Sequence, residues 1–236
     1  MPARHWFPSR TVTCPRSRVD QTYYPVFLDL VDRQCLVVGG GPIASGKVQG
    51  LIDARARVTV VAPRVEARIA QWHAEHKCMW HARPFQAEDI GQAFLVIAAT
   101  DDRELNAFVY QLANRQNRLA NAVDDTVNCN FIAPAIARAG AIQVAVSTSG
   151  TSPALAKQLR DEIQHSLLTP QRARTAEFLG GWRKRVKAQL PTYQERMIFW
   201  ESILASEIPG LLASDHQPRA DEMMLAMIAR ATEAVQ

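Results

Sequence analysis

The sequence predicts an α/β fold: a doubly wound parallel sheet, then a small mixed segment, then a helical C-terminal domain. Three observations carry this reading. Short apolar runs alternate with amphipathic stretches over the first half of the chain, as the strand–helix units of a parallel sheet require. The run Phe94-Leu95-Val96-Ile97-Ala98 has no polar interruption, as befits a strand covered on both faces. The rhythm changes after Asp124, where strands follow one another without a long helix between them and the chain then turns helical.

Taken in order, residues 1–22 read as an irregular basic arm with several prolines. Cys35–Val38 is a buried strand that ends in Gly39-Gly40-Gly41. Ile43, Ala44, Val48, Leu51 and Ile52 then recur at helical spacing. Val58–Val61 is a second strand, closed by Ala62-Pro63, and Arg64–Glu75 reads as a helix. Asp101-Asp102 can cap the helix after the third strand, which runs to about Asn117, and Leu119–Val123 is the strand beyond it. Phe131-Ile132 and Ile142–Val146 read as further strands. Ser152-Pro153 opens a helix, with serine at the N-cap and proline at the first helical position. The remainder reads as helix interrupted near Pro170, Pro191 and Pro209-Gly210.

Composition narrows the class of protein. With 236 residues, 47% of them hydrophobic and 21% charged, the chain has ordinary globular usage. It contains no apolar run of transmembrane length. Cys14, Cys35, Cys78 and Cys129 lie far apart with no CxxC pair, which fits neither a disulfide framework nor a zinc finger. The arm lacks the apolar centre of a secretory signal, so a cytoplasmic location without membrane attachment is expected. A net charge of +4 favours anionic partners without choosing among them.

The glycine turn is the most informative motif. Strand, Gly39-Gly40-Gly41-Pro42-Ile43-Ala44, helix and strand follow in order, the GxGxxA form of a dinucleotide fingerprint. Glycine permits the tight turn and lets backbone approach a pyrophosphate; Ala44 lets helix and strand pack closely. The helix N-terminus then offers N–H groups and partial positive charge to phosphates. The acid that usually meets the ribose 2′-OH is replaced by Ala62-Pro63-Arg64. Arg64 could meet a 2′-phosphate, and backbone could equally hold a 2′-OH, so NAD and NADP both stay open on these residues.

Several motifs in order carry a family likeness: Tyr24-Pro25-Val26-Phe27-Leu28-Asp29-Leu30, the glycine turn with Lys47, Ile97–Asp102, Asn121-Ala122-Val123-Asp124, Phe131–Ala135, and Val144–Pro153. The sequence resembles the bifunctional precorrin-2 dehydrogenase/sirohydrochlorin ferrochelatase family, the dehydrogenase–chelatase half of siroheme synthase. The likeness runs from about 23 to 205. It implies a Rossmann domain over 23–133, a dimerisation segment over 134–166 and a helical domain over 167–236, assembled as a homodimer. It also implies NAD-dependent oxidation of precorrin-2 to sirohydrochlorin and, in many members, insertion of ferrous iron as a substrate to give siroheme. The resemblance places the key aspartate on Asp124 and nucleotide contacts on Pro42, Ile43, Pro63 and Arg64, beside Gly39 and Gly41 of the turn. The hydroxyl-rich loop, commonly Ser-Ser-Gly-Gly-Thr-Ser-Pro in the family, reads Ser147-Thr148-Ser149-Gly150-Thr151-Ser152-Pro153, with Ser149 in place of a glycine.

Each candidate has a structural alternative. Asp124 could act as a general base beside a nicotinamide, or one acid of Asp124-Asp125 could simply bond nearby backbone N–H groups in a turn. Thr100 and Asp101 could line the nicotinamide side or belong to a helix cap. Ser147, Thr148, Ser149 and Thr151 could bind substrate carboxylates or form a cap and turn. Arg183-Lys184-Arg185-Val186-Lys187 could attract a polycarboxylate tetrapyrrole or be a solvated helix face. His73, His76, Cys78 and His81 match no closed tetrahedral ligand pattern, so no bound metal is expected. The Tyr-x-x-x-Lys pair of short-chain dehydrogenases is absent. A monofunctional dehydrogenase and a non-catalytic NAD-sensing or nucleic-acid-binding module are the competing functions; the tetrapyrrole reading expects no nucleic acid.

Overall fold

The computed structural model describes residues 23–125 and 127–233, and the basic arm expected over 1–22 lies outside them. The chain forms two compact units, one ending at Ala133 and the other starting at Pro134.

The first unit holds five parallel strands: β1 (Gln34–Val38), β2 (Arg57–Val61), β3 (Met79–His81), β4 (Leu95–Ala98) and β5 (Leu119–Ala122). Their order is β3-β2-β1-β4-β5. Helices α1 (Pro42–Asp53), α2 (Ala67–Ala74) and α3 (Arg103–Arg115) connect them. This is the Rossmann arrangement, and the order reverses between β1 and β4, which pair in register from Cys35↔Leu95 to Val38↔Ala98. Every residue of β4 is buried, as its unbroken apolar run demands. One face of the sheet packs through Val37, Val58, Val60 and Ile97 against Ala44, Val48 and Leu51 of α1 and Ile69 and Trp72 of α2. The other packs through Leu36, Val38, Val96 and Ala120 against Val109 and Ala113 of α3.

Two expectations need correction here. The helix expected from Arg64 begins only at Ala67. Glu66 is its extended N-cap and donates its N–H to the Gly40 carbonyl at 2.9 Å, so residues before it are tied to the glycine turn instead of to a helix. Phe131-Ile132 is not a strand: Phe131 offers its carbonyl to the Asn121 side chain at 3.0 Å and no ladder runs through it.

In the second unit β6 (Ala135–Ala139) pairs antiparallel with β7 (Ile142–Val146). Gly140, at φ 53°, supplies the left-handed residue of the tight connection. Helix α4 (Pro153–Ser166) packs on this hairpin, capped by the Ser152 hydroxyl at the Leu155 N–H. Helices α5 (Pro170–Gln189), α6 (Tyr193–Leu204), α7 (Ile208–Ala213) and α8 (Gln217–Glu233) share a core of Phe178, Val186, Phe199, Ile203, Met224 and Ile228. The interruption expected at Pro209-Gly210 falls earlier, over 205–207. Pro209 sits in the first turn of α7, where its missing N–H would have had no helical partner. Among the described residues no helix is long and apolar enough to cross a membrane, and no disulfide joins Cys35, Cys78 and Cys129 to one another.

Candidate functional site

Parallel strands bring all their carboxyl ends to one edge of the sheet, and the predicted residues of the first unit gather on the loops that leave it. Gly39 follows β1 with φ 123°, a conformation L side chains rarely adopt. A Cβ there would lie 2.2 Å from the Ala99 carbonyl oxygen, and one on Gly40 would lie 2.1 Å from the Arg64 carbonyl oxygen. The turn is thus wedged between the loop after β4 and the loop after β2. Gly41 differs, because a Cβ there would meet nothing within 4 Å. It is the N-cap of α1 and provides no side-chain cap to the first-turn N–H groups. Pro42 opens the helix and Ile43 is half exposed beside it.

Pro63 and Arg64 follow β2 and are exposed. The Trp80 indole N–H donates to the Ala62 carbonyl at 2.9 Å and fixes the start of this loop. On the β4 side, Thr100 is held by a residue that the motifs did not single out. Asn106, buried on α3, accepts from the Thr100 N–H at 3.1 Å and its hydroxyl at 2.7 Å, and donates to its carbonyl at 2.9 Å. Asp102 caps α3 by accepting from the Glu104 and Leu105 N–H groups, which leaves Asp101 exposed on the loop.

The tandem acids after β5 divide their labour. Asp125 accepts from the Val127 and Asn128 N–H groups at 3.1 and 3.3 Å and from the Asn128 side chain at 2.6 Å. That Asn128 side-chain bond, with the two backbone bonds, holds its carboxyl below the usual carboxylate range. The turn-stabilising role is therefore taken by Asp125. Asp124 adopts φ 58° and its side chain is exposed, with no hydrogen bond or ion pair to another described residue. Two further side chains close the neck of this loop: the Asn121 amide donates to the Cys129 sulfur at 3.3 Å, and the Cys129 thiol lies 3.3 Å from the Ala122 carbonyl and 3.0 Å from that of Asp125. Sequence reasoning missed Asn106, Asn121 and Cys129 as supports and left open which of the tandem acids holds the turn. A polar residue on the apolar face of the predicted α3 was the one available signal.

His73 accepts from the Trp80 N–H through Nδ1 at 3.3 Å, and that nitrogen is also 3.3 Å from the Cys78 carbonyl. Burial pushes the Cys78 thiol up. Among the described residues no group of three His, Cys, Asp or Glu side chains is placed to hold a metal ion.

In the second unit the loop 147–152 is knitted together by its own hydroxyls. Thr148 donates to the Ser152 carbonyl at 3.0 Å and accepts from the Ser152 N–H, while Thr151 donates to the Thr148 carbonyl at 2.6 Å. The Ser147 oxygen accepts from the Ser149 N–H at 3.0 Å. Ser149 takes φ 53° and Gly150 φ 84°, both left-handed. On α5, Arg183, Lys184, Arg185 and Lys187 are exposed and Val186 is fully buried.

Fold and glycine turn together define a NAD(P)-binding Rossmann unit, and residues 26–135 match a family model for NAD(P)-binding domains. Residues 140–166 match the model described as "Sirohaem biosynthesis protein central", and residues 172–228 match "Sirohaem synthase dimerisation region". The chain belongs to the siroheme synthase family. It is 43% identical over 190 residues to a siroheme synthase of Mannheimia succiniciproducens, covering 80% of this chain and 40% of that relative. It is 41% identical over 200 residues to one of Neisseria meningitidis serogroup C, covering 85% of this chain and 42% of the relative. The chain thus spans about two fifths of the length of these curated relatives. A solved structure described as "SirC, precorrin-2 dehydrogenase" superposes with a TM-score of 0.73 at 28% identity, covering 86% of this chain and all of that one.

Proposed function

We propose that this chain oxidises precorrin-2 to sirohydrochlorin with NAD and inserts ferrous iron into the product to give siroheme. The observation that carries the reading is the Asp124 carboxylate, exposed and uncommitted at the sheet edge that also bears the open glycine turn. The siroheme synthase relatives and the precorrin-2 dehydrogenase neighbour support the substrate class.

The residues at the edge fit a dinucleotide. Gly41 leaves the room a pyrophosphate needs, and the uncapped N-terminus of α1 offers N–H donors to it. Gly39, Pro42 and Ile43 shape that end; Pro63 and Arg64 meet the ribose side; Thr100 and Asp101 face the nicotinamide side. Held there, NAD would supply the hydride acceptor. The oxidation removes a hydride and a proton from the macrocycle, and Asp124 takes the proton as general base. For metal insertion two pyrrole N–H protons leave as the ferrous ion enters; the same carboxylate, having released the oxidation's proton to water, takes them one at a time and passes each to water in turn. The Thr148 and Thr151 hydroxyls brace the loop of the second unit, so that Ser147 and Ser149 present it to substrate carboxylates. The exposed cations of α5 favour an anionic macrocycle over a neutral one.

The one unit boundary, between Ala133 and Pro134, supports a nucleotide-binding domain over 23–133. The expected dimerisation segment over 134–166 and helical domain over 167–236 lie together in the second unit, and the dimerisation-region match falls on the helical part, at 172–228. A homodimer in the cytoplasm completes the reading. It is supported by the dimerisation-region match and by the exposed Tyr193, Met197, Ile198 and Leu204 of α6.

The test is direct. Purified protein, NAD and precorrin-2 are mixed, sirohydrochlorin absorbance is followed, and ferrous iron is then added. Spectral change at both steps is expected; change at the first alone identifies a monofunctional dehydrogenase, and no change at the first refutes the assignment. Asp124→Asn should slow oxidation by about 10²–10⁴-fold, the usual worth of a positioned base, while NAD affinity stays within twofold. Turnover near the wild-type rate in that variant would remove the general-base role.

A further inference from the structure

We propose that Cys129 is a positioning residue for Asp124, a thiol staple that holds the acid's loop in its working conformation. The inference rests on the reading of Asp124 as the general base. A single sulfur lies 3.3 Å from the Ala122 carbonyl and 3.0 Å from the Asp125 carbonyl, the peptide oxygens on either side of Val123-Asp124. The thiol donates across that interval, and the Asn121 amide, itself anchored on the Phe131 carbonyl at 3.0 Å, donates to the sulfur from behind. Asn121 and Cys129 face each other as an isolated antiparallel bridge, so the staple sits at the point where the loop leaves and rejoins the sheet edge.

The loop gains from such a device because Asp124 sits at φ 58°, a left-handed conformation that aspartate adopts more readily than most residues but that ties on both sides keep in place. Asp125 fixes the far side of the turn through Val127 and Asn128. The near side, from β5 to Asp124, is spanned by the thiol. With that donor removed, the peptide flanking Asp124 can rotate toward an ordinary conformation, carrying the carboxylate out of line with the proton it abstracts. A small misplacement lowers the rate of the chemical step and leaves the nucleotide end of the site untouched.

The experiment uses the full chain in four forms beside the wild type: Cys129→Ala, Cys129→Ser, Asp124→Asn, and the double variant. Precorrin-2 oxidation is measured at steady state and in single turnover, with NAD titrations and thermal unfolding alongside. Cys129→Ala should lower kcat about five- to tenfold, the scale of one lost hydrogen bond, with KM for NAD within twofold. Cys129→Ser, which keeps a donor, should recover most of the loss. In the Asp124→Asn background, Cys129→Ala should change the residual rate by less than twofold, because a staple that acts through the carboxylate has nothing left to position. Three results overturn the proposal: wild-type kcat in Cys129→Ala, the same fold loss in both backgrounds, or a serine variant as slow as the alanine variant. Wild-type turnover in Asp124→Asn instead fells the reading of the base itself, and so is distinguishable from failure of the staple.

Discussion

Gly39 and Gly41 stand two positions apart, and the structure assigns them opposite sensitivities. In Gly39→Ala the new Cβ would lie 2.2 Å from the Ala99 carbonyl oxygen and 2.6 Å from its carbon, both backbone atoms that cannot swing away. Its φ of 123° adds strain on top of the overlap. Strain of about 1–3 kcal/mol for such a backbone conformation and about 1–3 kcal/mol for overpacking together give a loss of roughly 2–6 kcal/mol. At about 2–4 °C per kcal/mol for a chain of this size, melting should fall on the order of 10 °C. Gly41→Val should leave melting within about 3 °C, since its backbone is extended and only the modest preference of an N-cap is lost. It should instead weaken NAD binding at least tenfold by filling the space above α1. Differential scanning calorimetry and NAD titration by isothermal calorimetry separate the two. A Gly39→Ala protein that melts like wild type refutes the wedge between β1 and β4. A Gly41→Val protein with unchanged NAD affinity refutes the placing of the pyrophosphate.

Three other expectations follow from the loops. Asn106→Leu leaves the Thr100 N–H and carbonyl without their partner, costing about 2–4 kcal/mol; Asn106→Asp keeps the acceptor, loses the donor and should fall between, as thermal unfolding would show by a rank order of wild type, Asp, Leu. Ser149→Gly relieves a left-handed residue and should raise stability by about 0.5–1 kcal/mol, read as a higher midpoint in urea; a lower midpoint contradicts the assigned conformation. The Asp125 carboxyl is held low chiefly by the Asn128 side chain, with Val127 and Asn128 N–H groups adding to it. Its stabilisation is therefore present above the ordinary carboxylate pKa and is lost as pH falls through the lower folded value. The melting temperature should fall more steeply on acidification below pH of about 4 in wild type than in Asp125→Ala, and parallel slopes would remove the turn from the acid response.

The sheet was legible because burial writes itself into composition: β4 must be apolar on both faces, and the glycine turn must be small where it touches two carbonyls. The site was legible only in part, for a physical reason. Residues proposed to touch ligands are constrained by chemistry and fall in motifs, so Gly41, Arg64 and Asp124 stand out as candidates. Residues that hold those residues are constrained by geometry across gaps in sequence. Asn106 meets Thr100 across a strand-to-helix turn, and Cys129 meets Ala122 across a loop. The tandem acids show what each level of reading resolves. From the sequence, either acid could have stabilised the turn and either could have faced a substrate. The fold divides the roles, since Asp125 collects the turn's N–H groups and its neighbour is left exposed. The same division explains Thr148 and Thr151, whose hydroxyls looked like ligand donors and are spent on their own loop. A hydroxyl that closes a turn cannot also give its single hydrogen to a carboxylate, so in the proposed site the loop's contact chemistry is left to Ser147 and Ser149.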